Sequence, residues 1–183
     1  MILKHYFILY KPFLIFLASF FLTYILLTFL YQNYLNNFDD QKMDTITKIV
    51  GNNTEKVLRL FTQDASIQES SSGPYMKVIY NQKYVARIIE GCNAISIIIL
   101  FISFVIAFSG KFVSTLLFVF CGSFLLYVLN VIRIAALSAL IFHFPNQESI
   151  LHEVFFPLSI YGVVFILWLF WIRKFSKYAR KNT

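Results

Sequence analysis

The chain has 183 residues, of which 58% are hydrophobic and 19% aromatic, while only 14% are charged. A soluble domain of this size cannot bury so much apolar surface, and with only two cysteines it is not a disulfide-stapled scaffold. Composition therefore predicts an all-α integral membrane protein of about four transmembrane helices, and the net charge of +7 reports topology rather than nucleic-acid binding.

Residues 1–31 comprise a short basic segment with Lys4 and Lys11, then a first crossing over Phe13–Tyr31. That run, about 19 residues, is long enough to span. No A-x-A-like cleavage site follows it, so an uncleaved anchor is favoured over a signal peptide.

Residues 32–91 form the one sizeable soluble loop, of mixed or helical structure. Met43, Ile46, Ile49 and Val50 recur at helical spacing, as do Val57, Leu58 and Phe61. Ser70-Ser71-Ser72-Gly73-Pro74 signals a loop. Tyr75–Ile89 fits either a short hairpin around Asn81-Gln82 or an extended lead-in to the next helix. Asn52-Asn53-Thr54 matches a glycosylation sequon, a pattern short enough to arise by chance.

Residues 92–183 form the transmembrane core and a basic tail. A second crossing runs from Cys92 to Phe108, and Ser109-Gly110-Lys111 makes a tight turn. The third begins at Phe112 and stays apolar through Phe144, too long for one simple span, so Ile134–Phe144 is expected to lie in the interface or re-enter. The fourth covers Val154–Ile172, with Pro157 tolerated in its first turn.

The charges orient this arrangement. Lys4, Lys11, Lys111, Arg173, Lys174, Lys177, Arg180 and Lys181 fall in three segments that hold no acidic residue. Residues 32–91 balance seven basic with seven acidic residues, and residues 145–156 carry only Glu148 and Glu153. The positive-inside rule places both termini in the cytoplasm and residues 32–91 and 145–156 outside.

Polar residues that break the apolar pattern mark the candidate chemistry. Cys92 opens the second crossing, directly after Glu90-Gly91. Arg133 lies about 31 Å along a helix begun at Phe112, roughly one hydrocarbon thickness, and Asn130 is on the same face. His152 precedes the fourth crossing. Three separate segments thus bring a thiol, a guanidinium and an imidazole to one depth on the outer side. Taken singly, a membrane cysteine is usually packing, an interfacial arginine snorkels and a histidine at a helix start is solvated. Shared depth outweighs those readings, because ionisable residues inside a membrane are functional by default. Cys121, about 14 Å into its helix, sits near mid-bilayer, which argues against a Cys92–Cys121 disulfide.

A Cys-Arg-His set suits acyl transfer through a thioester. His152 takes the thiol proton and returns it to the leaving amine; Arg133 lowers the thiol pKa and steadies the oxyanion. Glu90 either orients His152 or Arg133 or forms a structural salt bridge. There is no Walker loop, dinucleotide fingerprint or metal-ligand cluster, so no cofactor and no metal are expected.

Glu90-Gly91-Cys92-Asn93-Ala94, Asn130-Val131-Ile132-Arg133 and His152 before a Gly162-containing terminal helix resemble the exosortase/archaeosortase family, most closely the short bacterial form called exosortase F. The resemblance covers about Arg87 to Trp171. Family members more usually carry Cys-Ser-Gly where this chain has Cys92-Asn93-Ala94. It implies a membrane cysteine protease/transpeptidase of the bacterial inner membrane. Its substrates would be exported proteins ending in a recognition motif, a transmembrane helix and a basic tail, passed to a surface acceptor. The family's nucleophile, arginine and histidine carry over to Cys92, Arg133 and His152. Two other classes remain in view. One is a non-catalytic assembly protein that binds headgroups or a partner helix; the other, a small transporter subunit, fits poorly because mid-bilayer charge is nearly absent.

Overall fold

A computed structural model describes residues 2–39, 42–108 and 110–175. Ser109 of the expected turn and the tail residues Lys177, Arg180 and Lys181 lie outside them. The elements in chain order are α1 (Ile2–Leu35), α2 (Thr45–Leu58), β1 (Ala65–Glu69), β2 (Met76–Tyr80), β3 (Lys83–Ile88), a 3-10 turn (Glu90–Cys92), α3 (Ile95–Ala107) and α4 (Phe112–His143). Another 3-10 turn (Pro145–Gln147), α5 (Glu148–Ile150), a π-helical turn (Leu151–Phe155) and α6 (Phe156–Lys174) complete it. The chain is mostly helical.

Three stretches are long and apolar enough to cross a membrane: Tyr10–Leu35, Phe112–His143 and Pro145–Lys174. The expected second crossing differs. Its regular part, α3, has 13 residues, about 20 Å of helix, short of a ~30 Å hydrocarbon core. Aromatic contacts hold it among the longer helices. Phe16 of α1 lies 4.5 Å from Phe108 between ring centroids, and Phe104 stacks on Trp168 of α6 at 4.0 Å. Trp171 Nε1 donates to the Phe108 carbonyl at 2.9 Å, satisfying an oxygen that a helix end leaves without an internal partner. Pro157 lies in the first turn of α6 as expected, directly after the π-helical turn.

α4 corrects another expectation. Its 32 residues form one continuous helix, about 48 Å long, so Ile134–Phe144 neither re-enters nor lies flat before His143. The length beyond one hydrocarbon thickness is covered by the soluble domain instead. Val131, Ile134 and Ala135 of α4 pack into one core with Val50 and Leu58 of α2 and Ile67, Val78 and Ile88 of the strands. Asn53 Nδ2 donates to the Tyr127 hydroxyl at 2.6 Å, a second tie between domain and helix.

The domain itself is mixed α/β. Helical spacing located α2, and Asp44 caps it by accepting from Thr47 N at 2.9 Å. The hairpin alternative holds for Tyr75–Ile89: β2 and β3 pair antiparallel with Tyr80 opposite Lys83. Asn81 (φ 48°) and Gln82 (φ 64°) supply the positive φ that a two-residue turn of matching twist requires. β1, which hydrophobic spacing had not indicated, pairs antiparallel with β2, giving the order β1-β2-β3. The sequon lies inside α2, with Thr54 fully buried and bonded to the Val50 carbonyl.

Candidate functional site

The 3-10 turn Glu90–Cys92 joins the sheet to α3 at the end of the bundle where the soluble domain sits. Two asparagines fix it. Asn130 of α4, 1% exposed, donates from Nδ2 to the Cys92 carbonyl at 2.7 Å. Asn93, 2% exposed, donates to the Tyr31 hydroxyl at 2.7 Å and to Thr47 Oγ1 at 3.1 Å. Its Oδ1 accepts from Ile95 N at 3.0 Å, which satisfies one of the free donors at the start of α3. The cysteine backbone is therefore held by α1, α2 and α4 together.

Arg133 lies three residues beyond Asn130 on α4, and the Cys92 thiol and the Tyr161 phenol of α6 are the ionisable groups within its electrostatic reach. Its Nε is buried and, among the described residues, has no hydrogen-bond partner. Buried donors are nearly always paired, which sets this Nε apart among the described residues. Arg133 also lines an apolar cavity of about 190 Å³ between α4 and α6, with Leu129, Ile132, Ser159, Ile160 and Val163.

The structure thus brings Cys92, Asn130 and Arg133 together. His152 stands apart, exposed in the π-helical turn and without a hydrogen bond among the described residues. Its neighbour Leu151 packs against Leu137 and Ile141, about 6 and 12 Å along α4 beyond Arg133. His143 ends α4 and is exposed, about 15 Å beyond Arg133 by the same arithmetic. Glu90 pairs with neither Arg133 nor His152; it is exposed and acts on Tyr31 instead. Both cysteines are free, and Cys121 is exposed on the helix surface.

Tyr31, Thr47 and Tyr161 were absent from the sequence-based site. An aromatic in an apolar helix is unremarkable by type, and the contacts that matter cross 62 and 46 residues of chain in the first two cases. Among the described residues, no group of three or more His, Cys, Asp or Glu side chains is placed to hold a metal ion.

No curated protein and no solved structure matches the chain. A family model described as transmembrane exosortase matches residues 7–173, from the first helix to the end of the last. A match of that extent, around a cysteine, asparagine and arginine gathered at one end of a helical bundle, shows that the chain belongs to the transmembrane exosortase family.

Proposed function

We propose that this chain is a cysteine protease/transpeptidase of the exosortase F type that cleaves C-terminal sorting signals of exported proteins through a thioester on Cys92. Family membership supports a membrane transpeptidase/protease role. The observation that carries the finer reading is the Arg133 Nε, buried and without a hydrogen-bond partner among the described residues, one helical turn along α4 from the Asn130 that holds the Cys92 carbonyl. A donor kept unpaired in a low-dielectric site is worth most to a charge that appears only during reaction.

In this reading the Cys92 thiolate attacks the scissile carbonyl. The C–S bond forms, and the carbonyl electrons move onto an oxygen that Arg133 steadies. Collapse breaks the C–N bond, and His152, which stands apart from Cys92, relays the thiol proton to the leaving amine by way of water. His152 lies in a π-helical turn, a local geometry frequent at functional sites, and its imidazole makes no internal hydrogen bond that substrate binding must break. The cavity between α4 and α6 supports entry of the substrate helix from the bilayer, beside Arg133. The domain end of the bundle faces away from the cytoplasm, with both termini inside.

Processing of a co-expressed precursor tests this. Cys92→Ala and Cys92→Ser each leave the precursor uncleaved, the serine because its hydroxyl is far harder to deprotonate than a thiol. Normal processing by Cys92→Ala would replace the enzyme with a non-catalytic assembly protein.

A further inference from the structure

A second cavity, about 720 Å³, lies between the end of α1, the loop before α2 and the 3-10 turn, and is bordered by Ile89, Glu90 and Gly91, the three residues before Cys92. Gln32 and Asn36 at the end of α1 contribute neutral polar groups, and Asp39, Lys42, Asp44 and Glu90 the charges. The one cation among the described residues that line it is already used: Lys42 Nζ pairs with Asp39 Oδ2 at 2.7 Å. Asp44 and Glu90 form no ion pair among the described residues. Asp44 is only 4% exposed. Its Oδ1 caps α2 through Thr47 N, while Oδ2 is buried with no hydrogen-bond partner. Asp44 and Glu90 both line this cavity, so their charges share one wall.

An anionic wall with a buried, unpartnered carboxylate oxygen calls for a positively charged hydrogen-bond donor. A metal ion is the poorer fit, since among the described residues no three acidic, histidine or cysteine side chains are close enough to ligate one. An ammonium group needs no such enclosure. It carries three donors on a compact charge.

We propose that this cavity is the acyl-acceptor subsite, and that the acceptor presents a primary ammonium group. This rests on the reading of Cys92 as a thioester-forming nucleophile. The two cavities then serve two reactants: the sorting helix approaches from the lipid side beside Arg133, and the amine approaches from water beside Glu90. The bound ammonium first gives one proton to solvent by way of the exposed Glu90 carboxylate. The neutral amine attacks the thioester carbonyl; the C–N bond forms, the C–S bond breaks, and the electron pair returns to the Cys92 sulfur. A second proton from the nitrogen restores the thiol. The net products are an amide, the free thiol and one proton in water.

The test uses the full chain in proteoliposomes with a cleavable precursor and glycinamide as the amine probe, reading the ratio of amide product to hydrolysed product by mass spectrometry. Both products arise from the same thioester, so their ratio does not depend on how much enzyme is folded. In the wild-type chain the ratio should saturate with glycinamide concentration. Asp44→Asn keeps a side chain that caps helices well but removes the charge. It and Glu90→Gln should lower the ratio at a fixed, sub-saturating glycinamide concentration about tenfold. A wild-type ratio that climbs linearly without saturating, or variants with an unchanged ratio, would overturn the subsite. So would Asp44→Asn raising the KM for precursor while leaving the ratio alone, since the cation would then belong to the substrate's own motif. Failure of the wild-type chain to cleave any precursor removes the Cys92 reading and the subsite with it, whereas normal cleavage with an unchanged ratio removes the subsite alone.

Discussion

Asn93 Nδ2 and the Tyr31 hydroxyl meet at 2.7 Å across 62 residues of chain, directly behind the cysteine. Tyr31→Phe leaves Asn93 Nδ2 with Thr47 Oγ1 alone in a buried place. A neutral hydrogen bond there contributes on the order of 1 kcal/mol. Thermal unfolding in detergent should show a lowered midpoint, and the rate of Cys92 alkylation should change as the turn loosens. An unchanged midpoint and alkylation rate would show that Asn93 does not hold the turn.

Ala94 adopts φ 68° and ψ −2° at the N-cap of α3, a left-handed conformation that disfavours any residue with a Cβ by roughly 1–2 kcal/mol. It stands where family members usually carry glycine. Ala94→Gly should therefore stabilise the chain, by about 1 kcal/mol once the greater freedom of glycine in the unfolded state is set against the relief. A rise in the unfolding midpoint checks it. A fall would mean the site tolerates alanine without strain.

Gly122 of α4 faces the ring of Phe101 so closely that an added Cβ would overlap it. Phe101 is fully buried and cannot swing away. Gly122→Ala should push α3 from α4 and cost about 1–3 kcal/mol, as overpacking generally does. Less protein should accumulate in the membrane, with a lower midpoint. Phe101→Leu in the same chain should restore part of the loss.

Among the site side chains, Arg133→Lys keeps a charge but loses the planar fork, so processing should fall sharply if Nε meets the oxyanion. Removing one such donor typically costs about 10²–10³ in rate. His152→Ala should cost about 10²–10⁴-fold if it moves the proton, whereas His143→Ala should retain most activity. Single-turnover cleavage of a precursor by each variant separates these outcomes. Loss with His143→Ala and normal cleavage with His152→Ala would reverse the assignment.

Membrane character, the helix α2 and the placing of Asn130 near Cys92 were legible because each follows from periodicity or from distance along one helix. α4 is unbroken from Phe112 to His143, so the count from Phe112 to Arg133 runs along a single helix. The same count misled at Ile134–Phe144. A bilayer was assumed to be the only apolar partner, yet the domain core receives Ile134 and Ala135. The length of α3 was overestimated because apolarity continues through Cys92 to Phe108, whereas the helix itself begins at Ile95, after Asn93 and the left-handed Ala94. β1 escaped notice because its Ala65-Ser66-Ile67-Gln68-Glu69 is a weak alternation that acquires its buried face only by pairing with β2. Glu90 was assigned by proximity to Cys92 in sequence. Its side chain acts on Tyr31, and long-range partners of that kind leave no local pattern.

The central claim is that Cys92 forms the covalent intermediate, and intact-mass analysis of the chain trapped with a co-expressed precursor tests it most directly. The account predicts an adduct on Cys92 that hydroxylamine releases, that is absent in Cys92→Ala, and that persists in Cys121→Ala. A chain that processes precursor with no hydroxylamine-sensitive adduct on Cys92, or with full activity in Cys92→Ala, would contradict it.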